Sequence, residues 1–176
     1  FIIVSTNPRR GAEGLEGFLY KIKVAPMEPF KSKINREDYR DFNDNYRSFE
    51  NIKTIKQVYM EGANGVLFGK GLGSTIDIGR KIKTNDGTYV RHEPILHNGY
   101  LTVYLKSGLL GVSFLLFFLY SLLKQKKTEI YEVKQINLIL ISTAVFLIIS
   151  NWVLLGLFLK LDNKSIIIGF LICCIN

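Results

Sequence analysis

The sequence predicts an all-α fold: a polytopic membrane protein fragment whose membrane helices accompany a large extracytoplasmic loop with an amphipathic helix. Three observations predict it. The 176 residues are 48% hydrophobic and 22% charged, ordinary for a soluble domain, yet the charges avoid two long segments. Residues 107–123 form a run of 17 without a charge and residues 135–159 a run of 25; at about 1.5 Å per helical residue such runs suit a hydrocarbon core of about 30 Å. The third observation is the polar stretch 5–96, which holds all four prolines and 12 of the 15 acidic residues.

In chain order, Phe1-Ile2-Ile3-Val4 is read as the end of a preceding transmembrane helix, since the basic n-region and cleavage site of a signal peptide are missing. With the apolar run that ends at Asn176, this makes the chain a piece of a larger polytopic protein. Residues 5–96 form the large extracytoplasmic, periplasmic loop, with turn signals at Asn7-Pro8, Gly11, Pro26 and Pro29 and a short helix near residues 14–23. Tyr46, Phe49, Ile52, Ile55, Val58 and Tyr59 then recur at helical spacing, with Lys53, Lys56, Gln57 and Glu61 between them. They predict an amphipathic helix over about 45–60, with Asp44 as N-cap and Gly62 and Gly65 as the stop. Its apolar stripe is expected to pack on the membrane domain or its surface.

Residues 97–123 predict a transmembrane helix that starts just after His97-Asn98-Gly99. Lys106 snorkels or faces a wet cavity, and Ser107, Gly108 and Gly111 let another helix approach closely. The connection 124–135 has four Lys against two Glu, which by the positive-inside rule makes it cytoplasmic and the loop 5–96 external. Residues 136–159 cross back, 160–164 make an outer turn, and 165–176 are a truncated transmembrane segment or half-hairpin. Asn151, costly within a span, is expected to join helices.

The net charge of +8 is not a nucleic-acid signature. Residues 1–97 carry 16 Lys+Arg against 12 Asp+Glu and residues 98–176 carry 7 against 3, so each part is +4 and the signs are interspersed. Cys173 and Cys174 are adjacent, which suits neither a disulfide framework nor a zinc site. His92, Glu93 and His97 straddle Pro94 without a further ligand, so no metal and no cofactor are expected.

The string Gly69-Lys70-Gly71-Leu72-Gly73-Ser74 fails both nucleotide patterns. The phosphate-loop pattern needs glycine at Asn64 and Ser or Thr at Gly71; the dinucleotide pattern needs glycine at Ser74 or at Ile76. A tight turn with close backbone approach remains. Arg47, in the first turn of the amphipathic helix, sits where the macrodipole disfavours a cation; either a phosphate compensates it or Glu50 pairs with it. His97 stands where an imidazole exchanges protons at the mouth of a cavity, or where it hydrogen-bonds a neighbour.

Taken in order, Arg47 and Phe49 on a helix, Leu67-Phe68-Gly69-Lys70-Gly71-Leu72-Gly73-Ser74, and His97-Asn98 followed by Gly108-Leu109-Leu110-Gly111 resemble the O-antigen polymerase and O-antigen ligase family over residues 45–123. Those are multi-spanning glycosyltransferases of the bacterial cytoplasmic (inner) membrane. The resemblance implies an undecaprenyl-diphosphate-linked oligosaccharide as donor substrate, with a chain-length regulator and a flippase as partners besides membrane lipids. It implies that His97 is the catalytic base toward an acceptor hydroxyl, that Arg47 engages the donor diphosphate, and that Asn98 belongs to the substrate site; Arg9 and Arg10, which align to no motif of the family, are candidate second diphosphate contacts from their place beside the outer membrane surface. Gly69, Gly71, Gly73, Gly108 and Gly111 match its structural glycines. Val112-Ser113 stands where ligases commonly carry two threonines, which favours a polymerase. The implied reaction is inverting and metal-independent, arginines stabilising the leaving diphosphate. Two alternatives stay open: an O-antigen or protein glycan ligase of the same family, and a non-enzymatic polysaccharide transport or flippase component.

Overall fold

The computed structural model describes residues 14–24, 34, 42, 45–83, 87, 89–125, 129–153 and 164–174. The elements run α1 (Gly14–Val24), α2 (Tyr46–Met60), α3 (Gly62–Phe68), β1 (Ile76–Lys83), β2 (Tyr89–Glu93), α4 (Gly99–Leu123), α5 (Tyr131–Val153) and α6 (Lys164–Cys174). The fold is mostly helical. The chain divides into two compact units, Phe1–Ile52 and Lys53–Asn176, taken here one at a time.

In the first unit α1 occupies the span expected of a short helix, and it exposes Leu15 and Phe18. The other described feature is an aromatic cluster at the start of α2. Phe42 meets Tyr46 and Phe49 edge-on, with ring centroids 5.5 and 5.2 Å apart, the offset that the ring quadrupole favours. This half of α2 is buried on several sides, Ser48, Phe49, Glu50 and Asn51 included.

The second unit begins with the rest of α2, where the amphipathic expectation is corrected. The predicted stripe is split: Val58 is fully buried, whereas Ile55 and Tyr59 are exposed, as is Ile52 just before them. Thr54 and Val58 form the inward side, with Gln57 half-buried beside them. A tertiary contact sets this rotation. The Gln57 amide pairs with a strand as a peptide group would, Nε2 donating to the Asp77 carbonyl at 3.0 Å and Oε1 accepting from Asp77 N at 3.1 Å. Gly62, at φ +75°, makes the turn into α3. Gly65 is no stop; it lies inside α3, where a Cβ would come within 2.7 Å of the Val58 carbonyl.

The all-α expectation is also corrected, because β1 and β2 form an antiparallel hairpin with Ile76 opposite Glu93 and Lys83 opposite Tyr89. Its cause is a period of two: Ile76 and Ile78 are buried while Asp77, between them, is not. Alternation over so few residues places one face inward, which is the strand signature.

The remaining helices make the apolar part. The helices α4 and α5 lie antiparallel around Leu115, Leu119, Leu122, Leu140, Ala144 and Leu147, with Ile168 of α6 completing the cluster. At the ends remote from their connection the Tyr100 hydroxyl donates to the Ile148 carbonyl at 3.1 Å. A Cβ on Gly99 would lie 2.6 Å from Asn151 Oδ1, so the buried Asn151 amide sits against the head of α4, as expected of a residue joining helices. Both α4 and α5 are long and apolar enough to cross a membrane, and only 22% of the most apolar part of each is buried. The second begins at Tyr131, five residues before the expected boundary, and Lys164, expected in a turn, opens α6. The expectations for residues 1–4, Asp44, 154–163 and 175–176 lie outside the described residues.

Candidate functional site

The site is built around α4, and it has two levels. At the head of the helix, Asn98 is the N-cap: its Oδ1 accepts from Leu101 N at 3.1 Å, and its Nδ2 donates to the Trp152 carbonyl of α5 at 3.2 Å. Thr102 ties the preceding chain to the same turn, its Oγ1 accepting from Leu96 N at 3.2 Å and donating to the Asn98 carbonyl at 3.0 Å. Leu96 is 0% and Asn98 2% exposed, while His97 between them is exposed. The backbone on both sides of the imidazole is therefore fixed and the ring is presented outward. Asn98, assigned to the substrate site by the resemblance, has both polar side-chain atoms engaged within the chain.

The second level is a break in α4. Gly108 has φ 64° and ψ −159°, far from helical values, so two helical pieces meet there. In an unbroken helix the carbonyls of Leu105 and Lys106 would accept from the amides of Leu109 and Leu110. Here they accept from Lys70 N at 2.8 Å and Gly71 N at 3.2 Å. The glycine string is thus a strap whose amides cap the first piece of the helix, and those amides do not face outward toward a phosphate. The Lys106 ammonium answers from the other side, donating to the carbonyls of Leu72 at 2.7 Å and Ser74 at 3.3 Å. Ser74 Oγ lies 3.4 Å from the Leu105 carbonyl, and Lys70 pairs with Glu61 at 3.0 Å.

The glycines divide by this geometry. Gly69 and Gly108 touch, both at positive φ. Gly71, at φ +93°, has nothing within 4 Å of a Cβ, and neither does Gly73. Gly111 faces Ser107 of its own helix, one turn across the break. The close approach by another helix expected at Ser107, Gly108 and Gly111 occurs at Gly108, where the backbone of Leu67 at the end of α3 and Gly69 of the strap abut it, whereas Gly111 meets Ser107 and Val103 of its own helix. The break itself was not foreseen; its signal was a lysine and a glycine two residues apart inside an apolar helix.

A polar lock joins the two strands of the hairpin. The Asp77 carboxylate accepts from Arg91 Nε and Nη2, each at 2.8 Å, and from Gly79 N at 2.8 Å. The Arg91 guanidinium holds the Asp77 carboxyl well below the usual carboxylate range, with the Gly79 amide adding to it; Arg91 is raised in return. Arg47 belongs to the first unit, half-buried in the first turn of α2. Arg9 and Arg10 lie outside the described residues. Among the described residues no three of His, Cys, Asp and Glu group as metal ligands. The open groove between α5 and α6 is apolar apart from Ser142 and Thr143 and borders none of the predicted site residues.

No protein-family model, curated protein or solved structure matches the chain.

Proposed function

We propose that the chain is part of a glycosyltransferase of surface polysaccharide biosynthesis, which polymerises or ligates oligosaccharide repeat units carried on undecaprenyl diphosphate at the outer side of a bacterial cytoplasmic membrane. The mounting of His97 carries this reading. His97 is exposed between two buried residues that are each tied down by hydrogen bonds, so the backbone that carries the imidazole is fixed, which shortens the search a general base must make. In the proposed step the acceptor oxygen attacks the anomeric carbon, the bond to the diphosphate breaks, and His97 takes the hydroxyl proton. Arg47 neutralises charge growing on the leaving diphosphate. The proposed reaction inverts the anomeric centre and needs no metal; activity lost on chelation and restored by a divalent ion would remove that part of it.

The membrane setting is supported by two helices of spanning length whose apolar parts stay mostly unburied, unlike the core helices of a soluble domain. The loop 124–135 is the cytoplasmic side in this reading. A second reading, a transport or flippase component, is favoured by one observation: α4 is discontinuous at Gly108, next to Lys106, and broken helices recur at transporter substrate sites.

Complementation separates the readings. The full-length gene product is expressed in a strain lacking its own copy, as wild type, His97→Ala and Arg47→Ala at matched membrane abundance, and surface polysaccharide is resolved on a gel. Wild type restores a polymer ladder and both variants leave single repeat units if the polymerase reading holds. A ligase instead leaves intact polymer on the lipid carrier in the variants. Variants that behave as wild type overturn the enzymatic reading and bring transport forward.

A further inference from the structure

Besides the long apolar helices, the second unit exposes an apolar surface on its shorter elements. On the outward side of α2 stand Ile55, Tyr59 and Met60, exposed by 51%, 74% and 70%; α3 adds Leu67 and Phe68, and the strap adds Leu72 at 82%. Large apolar side chains in helical register on an exposed side are unfavourable in water by roughly 25 cal/mol for every Å² left wet. Grouped exposure of this kind marks an interaction surface.

We infer that this surface is seated on the lipid bilayer, its apolar side chains at the boundary between headgroups and acyl chains. Continuity with α4 selects lipid over a protein partner. The strap is bonded to the Leu105 and Lys106 carbonyls, and the backbone of Leu67 abuts Gly108. The surface is therefore fixed beside the point where the charge-free run 107–123 begins. Directly beyond that point Leu109 and Leu110 are exposed on α4 itself, so exposed apolar side chains stand on both sides of the place where the strap meets the helix. The charge on α4 at this level is partnered: the Lys106 ammonium is bonded to strap carbonyls, which lowers the cost of holding it near hydrocarbon. Lys56, exposed among Ile55, Tyr59 and Met60, has the reach to set its ammonium at lipid phosphates, as basic residues do on interfacial helices. The inference does not depend on glycosyl transfer.

The test uses the full-length protein with Cys173 and Cys174 replaced by serine, reconstituted in phosphatidylethanolamine and phosphatidylglycerol vesicles. Single cysteines at Met60→Cys, Phe68→Cys and Leu72→Cys carry an environment-sensitive fluorophore, and Tyr89→Cys on the hairpin serves as the reference. The three surface labels are expected to be blue-shifted and to lose emission when lipids with a nitroxide at the upper acyl chain are included, while aqueous iodide quenches chiefly the Tyr89→Cys label. Labels open to iodide and unaffected by nitroxide lipid would overturn the inference. So would labels shielded from both quenchers, which would assign the cover to another part of the protein or to a second copy.

Discussion

Gly69 and Gly108 meet backbone to backbone: a Cβ on Gly69 would lie 2.6 Å from Gly108 N, and one on Gly108 would lie 2.6 Å from Gly69 N. Both also hold positive φ, +75° and +64°, so each is barred to other residues twice over, by space and by torsion. Alanine at either position is expected to destabilise the chain by at least the ~1–2 kcal/mol that a left-handed residue costs, with the clash added. Because the two changes break one contact, the double variant should cost clearly less than the two singles together. Gly73→Ala, with open space and no such torsion, should stay within ~0.5 kcal/mol of wild type. Thermal unfolding of the detergent-solubilised wild type and its four variants measures the series.

Lys106 is the side chain that closes the strap from α4. Replacing it with methionine keeps the apolar stem and removes two hydrogen bonds from an ammonium, a loss of about 1.5–3 kcal/mol. The strap should loosen first, so the amides of Lys70 and Gly71 should gain hydrogen exchange well before those of the α4–α5 core. Unchanged exchange at those two amides would show that the clamp contributes nothing.

Asn98 has two tasks that substitution can separate. Asn98→Asp keeps the oxygen that caps Leu101 N but cannot donate to the Trp152 carbonyl. Asn98→Ala loses both. The alanine variant should lose about 0.5–2 kcal/mol for the cap, and the aspartate variant, whose second oxygen faces the Trp152 carbonyl at a buried position, should be destabilised as well. If the two lose polysaccharide activity in the same order as they lose stability, Asn98 acts through the fold; a stable aspartate variant without activity would assign it to the substrate.

The pH dependence of the hairpin lock follows from Asp77. Its folded carboxyl titrates below the ordinary value of 3.8, chiefly because Arg91 donates to it. The stabilisation is therefore complete above that ordinary value and is lost as pH falls below it toward the depressed one. The lock should be intact from neutrality down to about pH 4 and weaken only below. The Asp77 carboxyl resonance should titrate later than that of a free aspartate, and Arg91→Gln should return it toward the free value.

The helices were legible wherever the pattern was local. The short helix near 14–23, the helix near 45–60 and both long apolar helices lie close to their expected places, because length, caps and charge-free runs are written in adjacent residues. What the sequence hid depends on partners far along the chain. The side of α2 that faces inward is decided by Gln57 meeting Asp77, twenty residues on. The hairpin rests on so few alternating residues, Ile76 and Ile78 first, that a polar loop was the simpler expectation. Most of all, an apolar segment from 99 to 123 reads as one helix because the groups that stabilise its break, the amides of Lys70 and Gly71, lie more than thirty residues earlier. The place of His97, exposed just before a helix, was legible, whereas the capping role of the glycine string was not.

The order of those parts along the chain bears on how the protein is made. Residues 69–71 are synthesised before residues 105–108, so the donors that cap Leu105 and Lys106 exist before the carbonyls that need them. A bilayer offers no water to an orphaned carbonyl, and a helix that broke at Gly108 alone would stall there or straighten. In the membrane setting proposed above, the strap is synthesised before α4, so its amides are there to meet the Leu105 and Lys106 carbonyls as the bent helix forms.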